Sequence, residues 1–188
     1  MNTFATTALR GLAAGAVLSV LSTAVLSGAA SAETSVFSDA RGDLAHGADI
    51  HRVRVVNDDR VRVRVVHRDL VRSYRSGSSM SVFLDTDRDR KGPEYVFLAG
   101  TFEGADYALV RADGWKAASR TAVPMRCGYD MKLDYVKDVA HVRIDRACLD
   151  RPRAVRVEVK TGGESSSGDT AVDWLGKPRH FARWVDRG

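Results

Sequence analysis

Between Leu84 and Tyr95 the chain sets Asp85, Asp87 and Asp89 at alternate positions and follows them with Glu94. Carboxylates spaced in this way could direct several oxygens into one concavity, as a hard cation such as calcium requires. The pattern is not that of a helix-flanked calcium loop, because Arg90 stands where glycine should and the flanks read as strands. Arg88, Arg90 and Lys91 could equally neutralise the acids from within, and aspartate is a common turn residue, so an ordinary hairpin loop stays open beside the calcium reading. Asp39, Asp43 and Asp49 form a second acidic group that could share such a site.

A different chemistry is written into Ile50–Val56 and Arg60–Val66, where arginine alternates with valine. With an odd number of residues in the turn near Asn57, Arg52 and Arg54 would meet Arg62 and Arg64 on one face. That face could hold an acidic polysaccharide or an anionic protein. The competing reading is a solvated strand face balanced by neighbouring acids, which also resists edge aggregation. Trp174 and Trp184 could offer stacking platforms for sugars or serve as core residues. Catalytic templates are missing from the primary sequence: there is no HExxH, GxSxG or phosphate-binding glycine loop, and the five histidines are scattered. Only a site assembled from distant residues would make the chain a hydrolase, so a non-catalytic role is expected.

These groups need elements to position them, and the chain supplies strands. Its 188 residues are 44% hydrophobic, 28% charged and 7% aromatic, which excludes collagen-like, coiled-coil, wholly disordered and multi-span membrane proteins. Ile50–Val56 and Arg60–Val66 come close to period-two alternation, and further candidate strands are Met80–Asp85, Glu94–Ala99, Asp106–Ala112, Trp115–Arg120, Tyr129–Val136, Val139–Asp145, Ala154–Lys160 and His180–Val185. Asp113-Gly114 is a two-residue hairpin signal, and Gly162 to Gly168 reads as a mobile surface loop. About ten short strands separated by turns indicate an all-β fold, an antiparallel β-sandwich of jelly-roll or immunoglobulin-like layout.

The cysteines refine this expectation. If Lys137-Asp138 is a two-residue turn, Val136 faces Val139, and the same register carries Cys127 opposite Cys148 on an apolar face. A disulfide between them is expected in an exported protein. That register also sets Asp130 against Asp145 and Lys132 against Arg143, like charges relieved by diagonal neighbours.

Residues 1–32 are expected to be a signal peptide. Arg10 precedes an uncharged apolar run from Leu12 to Ser27, and Ala30-Ser31-Ala32 suits cleavage before Glu33. Residues 33–188 would then form one domain, secreted and extracellular, with no membrane association after cleavage and with one disulfide as its staple. The net charge of +5 is mild, and with export it argues against nucleic acid as a partner.

The order Ser38-Asp39-Ala40-Arg41-Gly42-Asp43, Phe83-Leu84-Asp85-Thr86-Asp87, Gly92-Pro93-Glu94-Tyr95, Arg146-Ala147-Cys148-Leu149 and Trp184-Val185 resembles secreted actinobacterial β-sandwich proteins without an established function. The layout is also similar to domains related to family-nine carbohydrate-binding modules. The resemblance implies an extracellular binding sandwich, with calcium as a candidate ligand.

Taken together, the sequence leads to a monomeric, secreted, non-catalytic binding module. Its ligand candidates are Arg52, Arg54, Arg62, Arg64, Trp174 and Trp184, and its partner is a cell-wall or extracellular polysaccharide. Asp85, Asp87, Asp89 and Glu94 are the metal candidates. The alternative is a protein-interaction or structural domain stabilised by a calcium loop.

Overall fold

The computed structural model of the chain describes residues 33–44, 46–115, 122–165 and 167–188. The expected signal peptide at 1–32 and most of the expected strand Trp115–Arg120 lie outside the described residues.

Eleven strands form two antiparallel sheets. In chain order they are β1 (Glu33–Ser38), β2 (Asp49–Asn57), β3 (Arg60–Arg68), β4 (Ser79–Asp85), β5 (Tyr95–Gly100), β6 (Tyr107–Arg111), β7 (Tyr129–Asp134), β8 (Val139–Asp145), β9 (Ala154–Glu164), β10 (Thr170–Trp174) and β11 (Val185–Asp186). One sheet has the order β1-β2-β3-β8-β7, and the six-stranded sheet runs β10-β9-β4-β5-β6 with β11 beside β9. The all-β sandwich expected from the alternating pattern is the observed fold.

Alternation explains the layering. Val53, Val55, Val61, Val63 and Val65 point inward from β2 and β3 and are buried with Val142 and Ile144 of β8. Met80, Val82, Leu84, Phe97, Val157 and Val159 answer them from the other sheet. Burying each such side chain contributes about 1.5–3 kcal/mol, so the valine half of every Arg-Val repeat holds the sheets together. The arginine half is thereby forced outward.

Of the expected strand His180–Val185 only Val185 is in a strand, β11, and three further expectations change. First, β7 and β8 pair with Asp134 opposite Val139, so the connection is the four residues Tyr135 to Asp138. The Asp134 carboxylate accepts hydrogen bonds from the Val136 and Lys137 backbone N–H groups, both at 3.0 Å, and this widens the turn. The register moves by two residues: each side chain keeps its face but changes its partner, and Asp130 faces Arg143 and pairs with it at 2.8 Å. Secondly, Cys127 and Cys148 do form a disulfide, with Cα atoms 5.7 Å apart. The chain reaches it through a short 3-10 helix, Arg146–Leu149, that follows β8 rather than through facing ladder positions. Thirdly, Gly162 and Gly163 belong to β9. A Cβ on Gly163 would lie 2.7 Å from the Gly47 Cα, so glycine is required there for two backbones to approach.

The described chain closes on itself at one corner. Asp186 N–H donates to the Glu33 carboxylate, and Gly188 N–H donates to the Asn57 carbonyl at 3.1 Å. Among the described residues, no helix is long and apolar enough to cross a membrane.

Candidate functional site: a cationic sheet face

The β2–β3 connection holds three residues between the paired Asn57 and Val61, the odd length that aligns the two arginine faces. Arg54 lies directly opposite Arg64, while Arg52 faces Val66 and Arg62 faces Val56. Because β3 also pairs with β8, Arg64 meets His141 and Arg62 meets Arg143. Lys132 of β7 is opposite His141 and extends the same row. One line across the sheet therefore reads Arg54, Arg64, His141, Lys132.

Counter-charges reach only the margins of this face. Arg62 pairs with Asp58, Arg60 with Asp145 at 2.7 Å, and Arg143 with Asp130. Among the described residues no carboxylate forms an ion pair with Arg52, Arg54 or Arg64. Between these side chains lies a shallow basin of about 390 Å³ lined by Thr34, Arg54, Val56, Arg62, Arg64 and His141. Burial, and then the Arg64 guanidinium, holds the His141 imidazole below its ordinary pKa, so the basin's positive charge at neutral pH belongs to the arginines. Guanidinium groups offer planar forks of donors that match carboxylate or phosphate oxygens two at a time, so the basin can bind an anion.

The loop buries Asp85 and Glu94, leaves Asp87 half-buried and leaves Asp89 exposed. Asp85 is fully buried and receives Arg156 Nη2 at 2.6 Å and Nε at 2.7 Å. Asp85 also accepts from the Asp87 N–H, and Asp87 accepts from the Asp89 N–H at 3.0 Å. Glu94 accepts from the Thr86 N–H at 2.8 Å. Arg156, remote in sequence, thus supplies the neutralising charge that the sequence suggested Arg88, Arg90 and Lys91 could give.

The tryptophans sit elsewhere, half-buried on the six-stranded sheet. Trp174 stacks on Phe83 with centroids 5.8 Å apart, and the Lys160 ammonium lies 5.5 Å from its ring. Trp184 has the guanidinium groups of both Arg88 and Arg156 at 4.6 Å. The structure therefore joins Arg54, Arg62 and Arg64 in one basin with Arg52 beside it, and places Trp174 and Trp184 apart from it with partners of their own.

Asp39 and Asp43 gather with Asp173 of β10, their carboxylate oxygens within 4.8 Å of one another, and not with the Asp85 loop. Asp173 accepts from the Ile50 N–H at 2.7 Å and Asp39 from the Gly176 N–H at 2.8 Å. Burial and the neighbouring acids push Asp173 up to about 6. Glu158, wholly buried, is pushed up to about 9 by burial and then by Asp39, with the backbone N–H groups of Leu175, His180 and Val159 acting in the opposite direction. No local signal in the sequence marks either residue, because each is set among acids far away along the chain.

A titration consequence follows from these raised values. The folded chain keeps protons that the unfolded chain releases, so this contribution to stability is complete below the ordinary carboxyl range. It is lost as pH rises through about 6 for Asp173 and about 9 for Glu158. Glu158→Gln, which keeps the shape without a charge to bury, raises stability by ~2 kcal/mol in mildly alkaline buffer and leaves it nearly unchanged in acid. Urea unfolding across the pH range checks this, and an equal effect at both ends would contradict it.

No protein-family model matches the chain, and no curated protein matches it either. The class defined by fold and site is an all-β sandwich that presents a cationic basin on one sheet face.

Proposed function

We propose that the chain is an extracellular, non-catalytic binding module for a cell-wall or matrix polysaccharide that carries acidic groups, and that the arginine basin is its contact surface. The observation that carries this reading is the direct opposition of Arg54 and Arg64 without a counter-charge among the described residues. Like charges facing each other across strands cost folding free energy, and an anion seated between them reverses the sign of that contribution. Two arginines and a bordering third give the site charge complementarity, while the flanking Thr34 hydroxyl adds a neutral donor for a sugar. Stacking contributes little to this reading, since both tryptophans are already engaged with protein partners.

Binding to immobilised polygalacturonate, a carboxylated polysaccharide, is expected at low ionic strength and is lost as salt screens the exposed charges. Arg54→Gln and Arg64→Gln each weaken retention about tenfold, the loss of roughly 1.4 kcal/mol of charge-assisted hydrogen bonding. Retention unaffected by both substitutions would remove the basin from the mechanism.

A further inference from the structure

The arginines of β3 do not stop at the basin. Arg62, Arg64 and Arg68 occupy alternate positions on the outward face of that strand, with Arg52 of β2 beside Val66 in the gap between them. From Arg62 to Arg68 is six residues, about 20 Å at the rise of a strand. Beyond Arg68 the row opens into a separate cleft of about 620 Å³ at the end of the sandwich, which Arg68 and Arg75 both line. Arg68 leans toward the loop that roofs this cleft: a Cβ on Gly42 would lie 3.3 Å from its guanidinium. Among the described residues, neither Arg68 nor Arg75 forms an ion pair with a carboxylate.

The cleft is chemically unlike the basin. Asp49, Asp69 and Glu164 line it together with the two arginines and the serines at 73, 76 and 78. Donors and acceptors mixed in one concavity suit a polyhydroxylated ring, whose hydroxyls both donate and accept, better than they suit a bare anion.

We propose that the ligand is an extended acidic polysaccharide laid along β3, with acidic groups on Arg54 and Arg64 and the ring hydroxyls of a further sugar of the same chain in the cleft at Arg68 and Arg75. This rests on the reading of the basin as an acidic-glycan site. It adds that recognition depends on chain length, because a single acidic sugar fills the basin alone whereas a longer chain reaches both ends of the track.

The test titrates the purified protein with galacturonate, its dimer and longer oligogalacturonates. The same series is run on two double variants, Arg54→Gln with Arg64→Gln and Arg68→Gln with Arg75→Gln. Both pairs are exposed or half-buried at the surface, and a melting curve checks that each variant is folded. Affinity should climb at least tenfold with length and then level off once the oligomer spans the track. The Arg68/Arg75 variant should lose that climb yet bind the dimer as the unaltered protein does, and the Arg54/Arg64 variant should lose binding at every length. Affinity independent of length, or a climb that survives the Arg68/Arg75 substitutions, would overturn the track and leave the basin standing. Absence of binding by every oligomer at low salt would overturn the basin reading and the track with it. Tighter binding of length-matched polyglutamate would replace the polysaccharide by an acidic protein segment.

Discussion

Arg156→Met lowers folding stability by about 3 kcal/mol, because it leaves a buried carboxylate without its counter-charge. Asp85 is fully buried and depends on the Arg156 guanidinium for its compensation, with contacts at 2.6 and 2.7 Å. The same guanidinium lies 4.8 Å from the Phe181 ring and 4.6 Å from that of Trp184, so its removal also loosens the C-terminal segment from β9. Asp85→Asn alone is destabilising in the same direction, since it leaves the cation beside a neutral amide. The double variant is closer to the unaltered protein than the sum of the two losses, for neither charge is then left unpaired. Denaturant unfolding of all four chains measures this coupling, and strict additivity would show that the pair does not act as a unit. Because Asp85 was the first residue of the candidate calcium set, the same four chains also report on the loop. A calcium-dependent rise in stability seen only with Arg156→Met would mean that the guanidinium occupies the place of a cation.

Loss of the disulfide ranks next. Cys127 and Cys148 are separated by 21 positions, and closing a loop of that size restricts the unfolded chain by roughly 3 kcal/mol on the chain-entropy account. Cys127→Ser with Cys148→Ser should lower the urea midpoint accordingly. Reductant should reproduce the loss in the unaltered protein and do nothing to the double variant. The bridge also fixes the segment that leads into β7, the edge strand of the arginine-bearing sheet. Polysaccharide binding by the folded variant should nevertheless persist, since Arg54 and Arg64 are held by the central ladder of β2, β3 and β8.

How much of this was legible beforehand depended on distance along the chain. The β2–β3 hairpin could be read closely, because its valine alternation is strict and its pairing is local; only the turn parity was open. The β7–β8 hairpin departs from its expected register by two residues for a local reason as well: the Asp134 side chain captures two backbone N–H groups, and turn-residue propensities do not foretell that competition. The strands β1 and β10 carry no strand signal in the sequence, since Glu33–Ser38 and Thr170–Trp174 lack a clean apolar alternation and are ordered by the neighbours they pair with. Gly162 and Gly163 have the composition of a loop, and for Gly163 only the position of Gly47 distinguishes a close backbone crossing from one.

The site divides along the same line. Arg54, Arg62 and Arg64 share a basin because they share a hairpin. Arg156 as the partner of Asp85, or Asp173 as the neighbour of Asp39, required the two sheets to be stacked first. Charge patterning along one strand predicts a surface; it does not predict which buried acid a distant cation will meet.

The corner at which Asp186 meets Glu33 and Gly188 meets Asn57 has a bearing on presentation. It lies by the β2–β3 turn, whereas the cleft at Arg68 is at the far end of β3. An attachment through either end of the described chain would therefore leave from the same corner. On the proposed reading, a chain held at that corner would keep the basin near its point of attachment and the cleft away from it, so that a polysaccharide strand would meet the cleft first and the arginines afterwards.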